Sequence, residues 1–301
     1  MTCREALEAG VRRLEAAGVP DAEWDAFCLW ERASGQSRAA YLTHRGEAAE
    51  TAWLEAFRCL TDLREKRVPL QHILGEAWFM GLPFYVNEAV LIPRPETELL
   101  AERVLRDWSG RKTVEAVHGG GRPAAAGNAG TQGLRLLDMC TGSGCLAVSL
   151  AVLGHFDRVA AADISPEALA VARRNAERNG AAVDFFQGDL FGGLPAGSTY
   201  QVLVSNPPYI PTGQLEALMP EVREHDPQLA LDGGADGLAF YRRLAREAVP
   251  FLAPGAWVYW EIGWDQGPAV SRILEEAGYR RVQVLPDLAG KDRMVTGEWI
   301  C

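Results

Sequence analysis

Closely paired cysteines are missing from this sequence. Its six cysteines (Cys3, Cys28, Cys59, Cys140, Cys145, Cys301) form no C-x-x-C, and its five histidines are scattered. Neither zinc-ligand nor redox-motif spacing appears, so no metal is expected, the thiols read as free, and a reducing compartment follows. A long apolar run is missing too. The longest mostly apolar stretch, Cys145 to Phe156, is interrupted by Ser149, Gly154 and His155, and falls short of the roughly 18 residues that a membrane span needs. The first residues carry Arg4, Glu5, Glu8, Arg12, Arg13 and Glu15, a pattern incompatible with the apolar middle of a secretory signal. The cytoplasm is the expected address, without membrane attachment. Positive charge is in deficit: 30 basic against 40 acidic side chains give a net charge of -10, which disfavours nucleic acid as a partner. No internal repeat is present.

What remains is ordinary globular material. Hydrophobic residues make up 48% and charged residues 23% of 301 positions, enough for a sizeable core and a prior of two domains at about 150 residues each. Over residues 1–68 the apolar positions recur at helical spacing, as Leu7, Val11, Leu14, then Trp24, Phe27, Cys28, then Trp53, Phe57, Leu60. Gly18 with Pro20 stops the first helix, Asp21 is placed to cap the second, and Gly35 closes it. Trp24, Trp30 and Trp53 are expected in the core of this small helical domain. Residues 69–98 read as a hairpin connector with short strands at Trp78 to Met80, Phe84 to Val86 and Val90 to Ile92. Residues 99–301 form the second domain, interrupted at 109–133 by a glycine- and alanine-rich stretch expected to be a flexible insertion.

From Leu134 the pattern becomes strand, tight loop, helix, strand. Strands are predicted at Leu134 to Asp138, Arg158 to Asp163, Val183 to Gln187, Tyr200 to Ser205 and Ala256 to Glu261. Helices begin at Cys145 and Pro166 and near Gly237 and Pro268, so the sheet is parallel with helices over it, an α/β fold. Only Pro286 to Asp292 separates the last two strands, too short a link for a helical crossover, so the final strand runs antiparallel.

Asp138-Met-Cys140-Thr141-Gly142-Ser143-Gly144 follows one strand and opens a helix, where glycines let the backbone approach a ligand. Asp163 ends the second strand, suited to a ribose diol, and Asp189 follows the third. Gly142-Ser-Gly144-Cys-Leu-Ala147 also satisfies a dinucleotide fingerprint, so a nicotinamide dinucleotide in a non-catalytic regulator competes. The plainest alternative is that glycines only turn the chain and aspartates only cap helices. Three acids without a basic residue in these motifs favour a cofactor carrying a sulfonium, an ammonium and an adenosine.

Ser205-Asn206-Pro207-Pro208-Tyr209 follows the fourth strand at the same edge. Two prolines lack N–H groups, so the turn offers carbonyl acceptors, and Asn206 adds a neutral side-chain acceptor. Two acceptors suit the hydrogens of an NH2 group while Tyr209 covers its face, leaving the nitrogen lone pair toward a methyl donor. A rigid turn without chemistry is the competing reading.

These motifs resemble those of class I S-adenosylmethionine-dependent methyltransferases, and within them the HemK/PrmC family of protein-(glutamine-N5) methyltransferases. The resemblance spans nearly the whole chain, including Pro69-Leu-Gln-His-Ile-Leu-Gly75, Ile92-Pro-Arg-Pro-Glu-Thr-Glu98, Glu221 with Ala230-Leu-Asp-Gly-Gly234, and Asp287-Leu-Ala-Gly-Lys-Asp-Arg293. It implies a Rossmann-like, mostly parallel seven-stranded sheet, S-adenosylmethionine as cofactor, and the glutamine of a Gly-Gly-Gln loop in class I peptide chain release factors as substrate. It further implies that Asn206 and Pro207 hold the glutamine amide with Pro208 and Tyr209 lining its slot, and that Arg94 to Glu98, Arg94 and Glu96 among them, border the opening. Asp138, Cys140, Thr141, Gly142, Ser143 and Gly144 would lie along the cofactor, Asp163 at its ribose, Asp189 and Leu190 near the adenine, and Asn206 between both ligands. The helical domain would engage the protein substrate, and a monomer is expected. Asn-Pro-Pro-Tyr alone is shared with adenine-N6 methyltransferases, so an exocyclic amine of DNA or RNA, or a glutamine of another protein such as a ribosomal one, stays open at this point. Cys140 stands where the family has a glycine, a departure costing about 1 kcal/mol or more if the position needs positive φ, with weaker cofactor binding.

Overall fold

Proline and glycine set most element boundaries in the computed structural model, which describes residues 1–109 and 133–300. In chain order come helices α1 (Cys3–Ala16), α2 (Ala22–Ser34), α3 (Arg38–His44), α4 (Thr51–Glu65) and α5 (Leu70–Leu74), strands β1 (Glu76–Phe79) and β2 (Leu82–Tyr85), and α6 (Pro95–Trp108). Then follow β3 (Arg135–Met139), α7 (Cys145–Leu153), β4 (Arg158–Asp163), α8 (Pro166–Arg178), β5 (Val183–Gln187) and β6 (Tyr200–Ser205). The last are α9 (Pro220–His225), α10 (Gln228–Leu231), α11 (Ala239–Glu247), β7 (Leu252–Glu261), α12 (Gly267–Glu276), β8 (Arg280–Pro286) and β9 (Asp292–Trp299). The insertion expected between 109 and 133 lies outside the described residues. No described helix is long and apolar enough to cross a membrane.

Two units emerge: Met1–Glu76 with Ala217–Asp226, and Ala77–Glu216 with Pro227–Cys301. In the first, a capping box starts α1: Glu5 N–H donates to Thr2 Oγ1, and Thr2 N–H donates to Glu5 Oε2 at 2.8 Å. Gly35 closes α2 at φ 70°. Asp21 occupies the N-cap position of α2, but its side chain makes no capping bond. Trp30 is fully buried among Tyr41, Trp53 and Phe57 in edge-to-face contacts. Gly10 makes room for this cluster, since a Cβ there would fall 2.4 Å from the Phe57 ring. Trp24 departs from expectation at 57% exposed. The buried stripe of α2 is Ala22, Ala26, Leu29 and Trp30, and Trp24 lies about 200° around the helix from Ala26.

Charge is also buried in this unit. Arg64 Nε donates to Asp25 Oδ2 at 2.7 Å, its Nη1 donates to Glu221 Oε1 at 3.1 Å, and Arg67 grips Glu221 through Nε and Nη2 at 2.6 and 2.7 Å. Burial pushes both carboxyls up. For Glu221 the bonds from Arg67 and Arg64 outweigh it and hold the pKa below its usual value, whereas Asp25 remains raised.

The second unit holds a small β1–β2 sheet and a seven-stranded sheet in the order β5-β4-β3-β6-β7-β9-β8. The first five strands pair in parallel, and β9 is antiparallel to both β7 and β8, as the short link requires. Central strands such as Val202-Leu203-Val204 are apolar throughout because helices cover both faces. One core gathers Leu137, Leu203, Tyr241, Val258 and Trp260, and the other Leu136, Val148, Val202, Val204 and Tyr259. Val90 to Ile92, expected as a strand, is irregular. An Asn87 turn precedes it and Pro93 and Pro95 follow, so apolar contacts with Val86, Ala168 and Val171 pin it instead of ladder bonds.

Candidate active site

Strand ends of one edge build the site. After β3 the backbone passes through Cys140, Gly142 and Gly144 at φ 61°, 54° and 79°, the left-handed region open to glycine and strained for cysteine. Gly144 also allows α7 to approach α8, because a Cβ there would lie 3.0 Å from Ala172 Cβ. Asp138 clamps this turn from beneath. It is fully buried, and its Oδ2 accepts from Thr141 Oγ1 at 2.6 Å and from the Ala147 N–H at 3.1 Å, satisfying one donor of the α7 N-terminus. Its Oδ1 has no partner among the described residues. Burial pushes its pKa up to about 7. The Cys140 thiol is likewise raised, by burial and then by the Asp163 charge.

Asp163 crosses to the same turn: its Oδ2 accepts from the Gly142 N–H at 2.8 Å and its Oδ1 from the Ser165 N–H at 2.9 Å. Burial raises its pKa against these bonds. Asp189 is exposed, and Arg243 of α11 donates to its two oxygens at 2.9 and 3.1 Å. Acids without a basic residue is therefore too simple a description: Arg243 and Arg94 both line the cleft, Arg243 with its charge matched by Asp189 and Glu247. That pairing joins residues 54 positions apart, beyond the reach of local motif reading.

At the exit of β6, Ser205 Oγ donates to the Met139 carbonyl at 2.6 Å and ties the two loops together. Asn206 and Pro208 line the same cleft as Cys140, Thr141, Gly142, Ser143, Asp163, Asp189 and Leu190, a space of about 330 Å³. Asp138, Gly144, Pro207 and Tyr209 are not among its lining residues, and neither is Glu96, which is exposed. The turn is braced from behind. Gln266 Nε2 donates to the Tyr209 carbonyl at 2.9 Å, and a Cβ at Gly233 or Gly237 would lie 2.7 or 2.4 Å from the Tyr209 backbone. The Ala230 to Gly234 motif thus supports the Asn-Pro-Pro-Tyr turn by close backbone contact.

Two buried polar residues, Asn175 and Glu261, go beyond the sequence motifs, and Thr97, expected only within the 94–98 border of the opening, joins them. Asn175 of α8 accepts from the Tyr85 N–H at 2.7 Å and donates to the Tyr85 and Ser143 carbonyls, joining hairpin, helix and glycine turn. Thr97 Oγ1 donates to Glu261 Oε2 at 2.6 Å, and Asn206 Nδ2 donates to Thr97 Oγ1 at 3.2 Å. Tyr209 OH donates to Glu261 Oε1 at 3.4 Å. Burial pushes Glu261 up to about 7. A readable signal existed: Glu261 is a lone carboxylate ending an apolar strand, as Asp138 and Asp163 are at theirs.

The cleft fits S-adenosylmethionine. The Asp163 carboxylate at the lining suits a ribose hydroxyl, Gly142 offers open backbone, and Ile164, Leu190 and Phe240 offer apolar walls to an adenine. Sheet order, antiparallel β9, glycine turn and acidic strand ends together define a class I S-adenosylmethionine-dependent methyltransferase. A family model for the PrmC N-terminal domain matches residues 5–75, and one for the methyltransferase small domain matches residues 128–227. A release factor glutamine methyltransferase of Geobacter sulfurreducens is 40% identical over 98% of this chain and 96% of its own. One from Moorella thermoacetica is 41% identical over 97% of each. Among solved structures, a Thermus thermophilus 16S rRNA N2 G1207 methyltransferase with AdoMet and guanosine shares the fold at TM-score 0.50 and 18% identity, covering 74% of this chain and 49% of that one. The chain belongs to the release factor glutamine methyltransferase family.

Proposed function

We propose that this enzyme methylates the side-chain amide nitrogen of the glutamine in the Gly-Gly-Gln loop of class I peptide chain release factors. The observation that carries the reading is the shared cleft: Asn206 and the Cys140 to Ser143 turn line one cavity, and the Ser205 bond to Met139 ties their loops together. Bound S-adenosylmethionine supplies a methyl carbon on a cationic sulfur that keeps the electron pair when the bond breaks. The residues proposed to hold it are Cys140 to Gly144, Asp138, Asp163, Asp189 and Leu190, with Arg94 at the opening.

Asn206 Oδ1 and the Pro207 carbonyl serve as acceptors for the two amide hydrogens, with Pro208 and Tyr209 shaping the slot. An amide nitrogen is a weak nucleophile because its lone pair is delocalised into the carbonyl. Acceptors aimed at its hydrogens stabilise the positive charge that develops as the N–C bond forms, and one N–H proton then leaves to water. Orientation supplies much of the remaining acceleration. Residues 1–68 engage the release factor, and the enzyme works as a monomer in the cytosol.

Asn206→Ala is expected to lower turnover by about 10²–10³-fold, the usual loss for one preorganised polar contact, with S-adenosylmethionine affinity kept. Asp163→Ala is expected to weaken cofactor binding. Mass spectrometry of a release factor, seeking one methyl on the Gly-Gly-Gln peptide, and calorimetry with the cofactor check both. Methyl found on an oligonucleotide and not on the release factor would overturn the assignment.

A further inference from the structure

We infer that Glu261 and Thr97 are positioning residues that fix which way the Asn206 amide faces, so that its oxygen, and not its NH2, meets the substrate. This rests on the reading of Asn206 as the acceptor for the glutamine amide. Thr97 and Glu261 are each 2% exposed, so no water competes for their bonds. A hydroxyl has one proton. Thr97 places it on Glu261 Oε2 at 2.6 Å, which leaves only lone pairs on Oγ1. Asn206, 3.2 Å from that oxygen, therefore presents its Nδ2, and its Oδ1 is left for the cleft that Asn206 lines. Glu261 Oε1 takes the Tyr209 hydroxyl as well, so one carboxylate holds both ends of the Asn-Pro-Pro-Tyr turn.

The polarity depends on the carboxylate being an acceptor only. A proton on Glu261 lets the acid donate to Thr97, whose hydroxyl then turns to donate toward Asn206 and favours the flipped amide. A flipped Asn206 sets NH2 against the substrate NH2, donor facing donor. The charged and titratable groups around Glu261 are Arg293 of β9, which favours ionisation, Glu96 of α6, which opposes it, the hydroxyl of Tyr209, that of Tyr241, which donates to the Glu261 backbone carbonyl, and the Cys145 thiol. None of these lies in the Thr97–Asn206 link.

The test compares Thr97→Val, Thr97→Ser, Glu261→Gln and Asn206→Ala in the full chain, with a release factor as methyl acceptor. Thr97→Val and Glu261→Gln are expected to lower kcat by about 10–100-fold, with the S-adenosylmethionine Kd from calorimetry within about threefold of the parent. Thr97→Ser keeps the hydroxyl and is expected to retain turnover within about threefold. Adding Thr97→Val to Asn206→Ala is expected to cost little more than Asn206→Ala alone, since both remove one contact. In the parent, kcat rises with pH as Glu261 ionises, and Glu261→Gln lacks that limb. Turnover of Thr97→Val at the parental rate, Ser losing as much as Val, or additive losses in the double variant would each overturn the positioning role. Asn206→Ala at the parental rate would instead overturn the amide grip itself, so the two failures are separable. Thr97→Val and Thr97→Ser decide the matter even if Glu261→Gln does not fold.

Discussion

Cys140 is one of five described non-glycine residues with positive φ, and it lies in the turn after β3. It holds φ 61° between Met139 and a turn whose other left-handed positions, Gly142 and Gly144, are glycines. Strain of about 1 kcal/mol or more is offset in part by the packing of its small side chain against the core of the sheet. Replacing it with glycine relieves the strain, loses that packing and adds chain entropy to the unfolded state, so the terms nearly cancel. Cys140→Gly is expected to stay within about 1 kcal/mol of the parent in urea unfolding and to bind S-adenosylmethionine no less tightly. Cys140→Val is expected to lose about 2 kcal/mol or more, because a β-branched side chain is the least tolerant of positive φ. Equal losses for glycine and valine would show that the backbone angle is not what limits this position. The consequence was legible in the sequence only through the resemblance, whose family has a glycine at this position; the angle itself was not.

At the scale of elements, the strands and helices of the sheet unit were legible because their signals are local. Val202 to Val204 is apolar on both faces, Pro166 starts a helix whose last turn reaches Arg178, and five residues cannot carry a helix between β8 and β9. Segments held by distant partners were not legible. Val90 to Ile92 has strand-forming residues but no strand bonded to it among the described residues, and Trp24 stands at helical spacing from Phe27 and Cys28 while pointing away from the buried stripe of α2. Asn175 shows the same limit from the polar side: nothing in its helix announces that it binds Tyr85, 90 positions away. Its loss leaves the buried backbone groups it serves unpaired, at about 1–3 kcal/mol for each group orphaned. Asn175→Leu is therefore expected to destabilise the sheet unit by about 2–4 kcal/mol and to speed amide exchange of Tyr85. Unchanged exchange at Tyr85 would mean that the β2 strand is held by other contacts.

Across the whole molecule, buried charge is handled in two ways, and this sets how stability responds to pH. In the helical unit, Asp25 and Glu221 meet the guanidinium groups of Arg64 and Arg67. In the sheet unit, Asp138 is bonded by Thr141 and the Ala147 N–H, and Glu261 by Thr97 and Tyr209, all neutral groups. Burial then raises Asp138 from 3.8 and Glu261 from 4.5 to about 7 each. The folded state thus holds these protons more tightly than the unfolded chain. Their stabilising contribution is complete below the unfolded values near 4 and is lost as pH rises through about 7. For Glu261 the change amounts to at most about 3.5 kcal/mol, at about 1.4 kcal/mol per pKa unit. Glu261→Gln, which cannot titrate, removes that share. Hydrogen exchange of the β7 amides, corrected for intrinsic rates, reports opening of this unit. Between about pH 5 and pH 8, the stability advantage of the parent over the variant is expected to shrink. An advantage that stays constant, or grows with pH, would mean that the Glu261 carboxyl ionises in the fold as readily as it does in water.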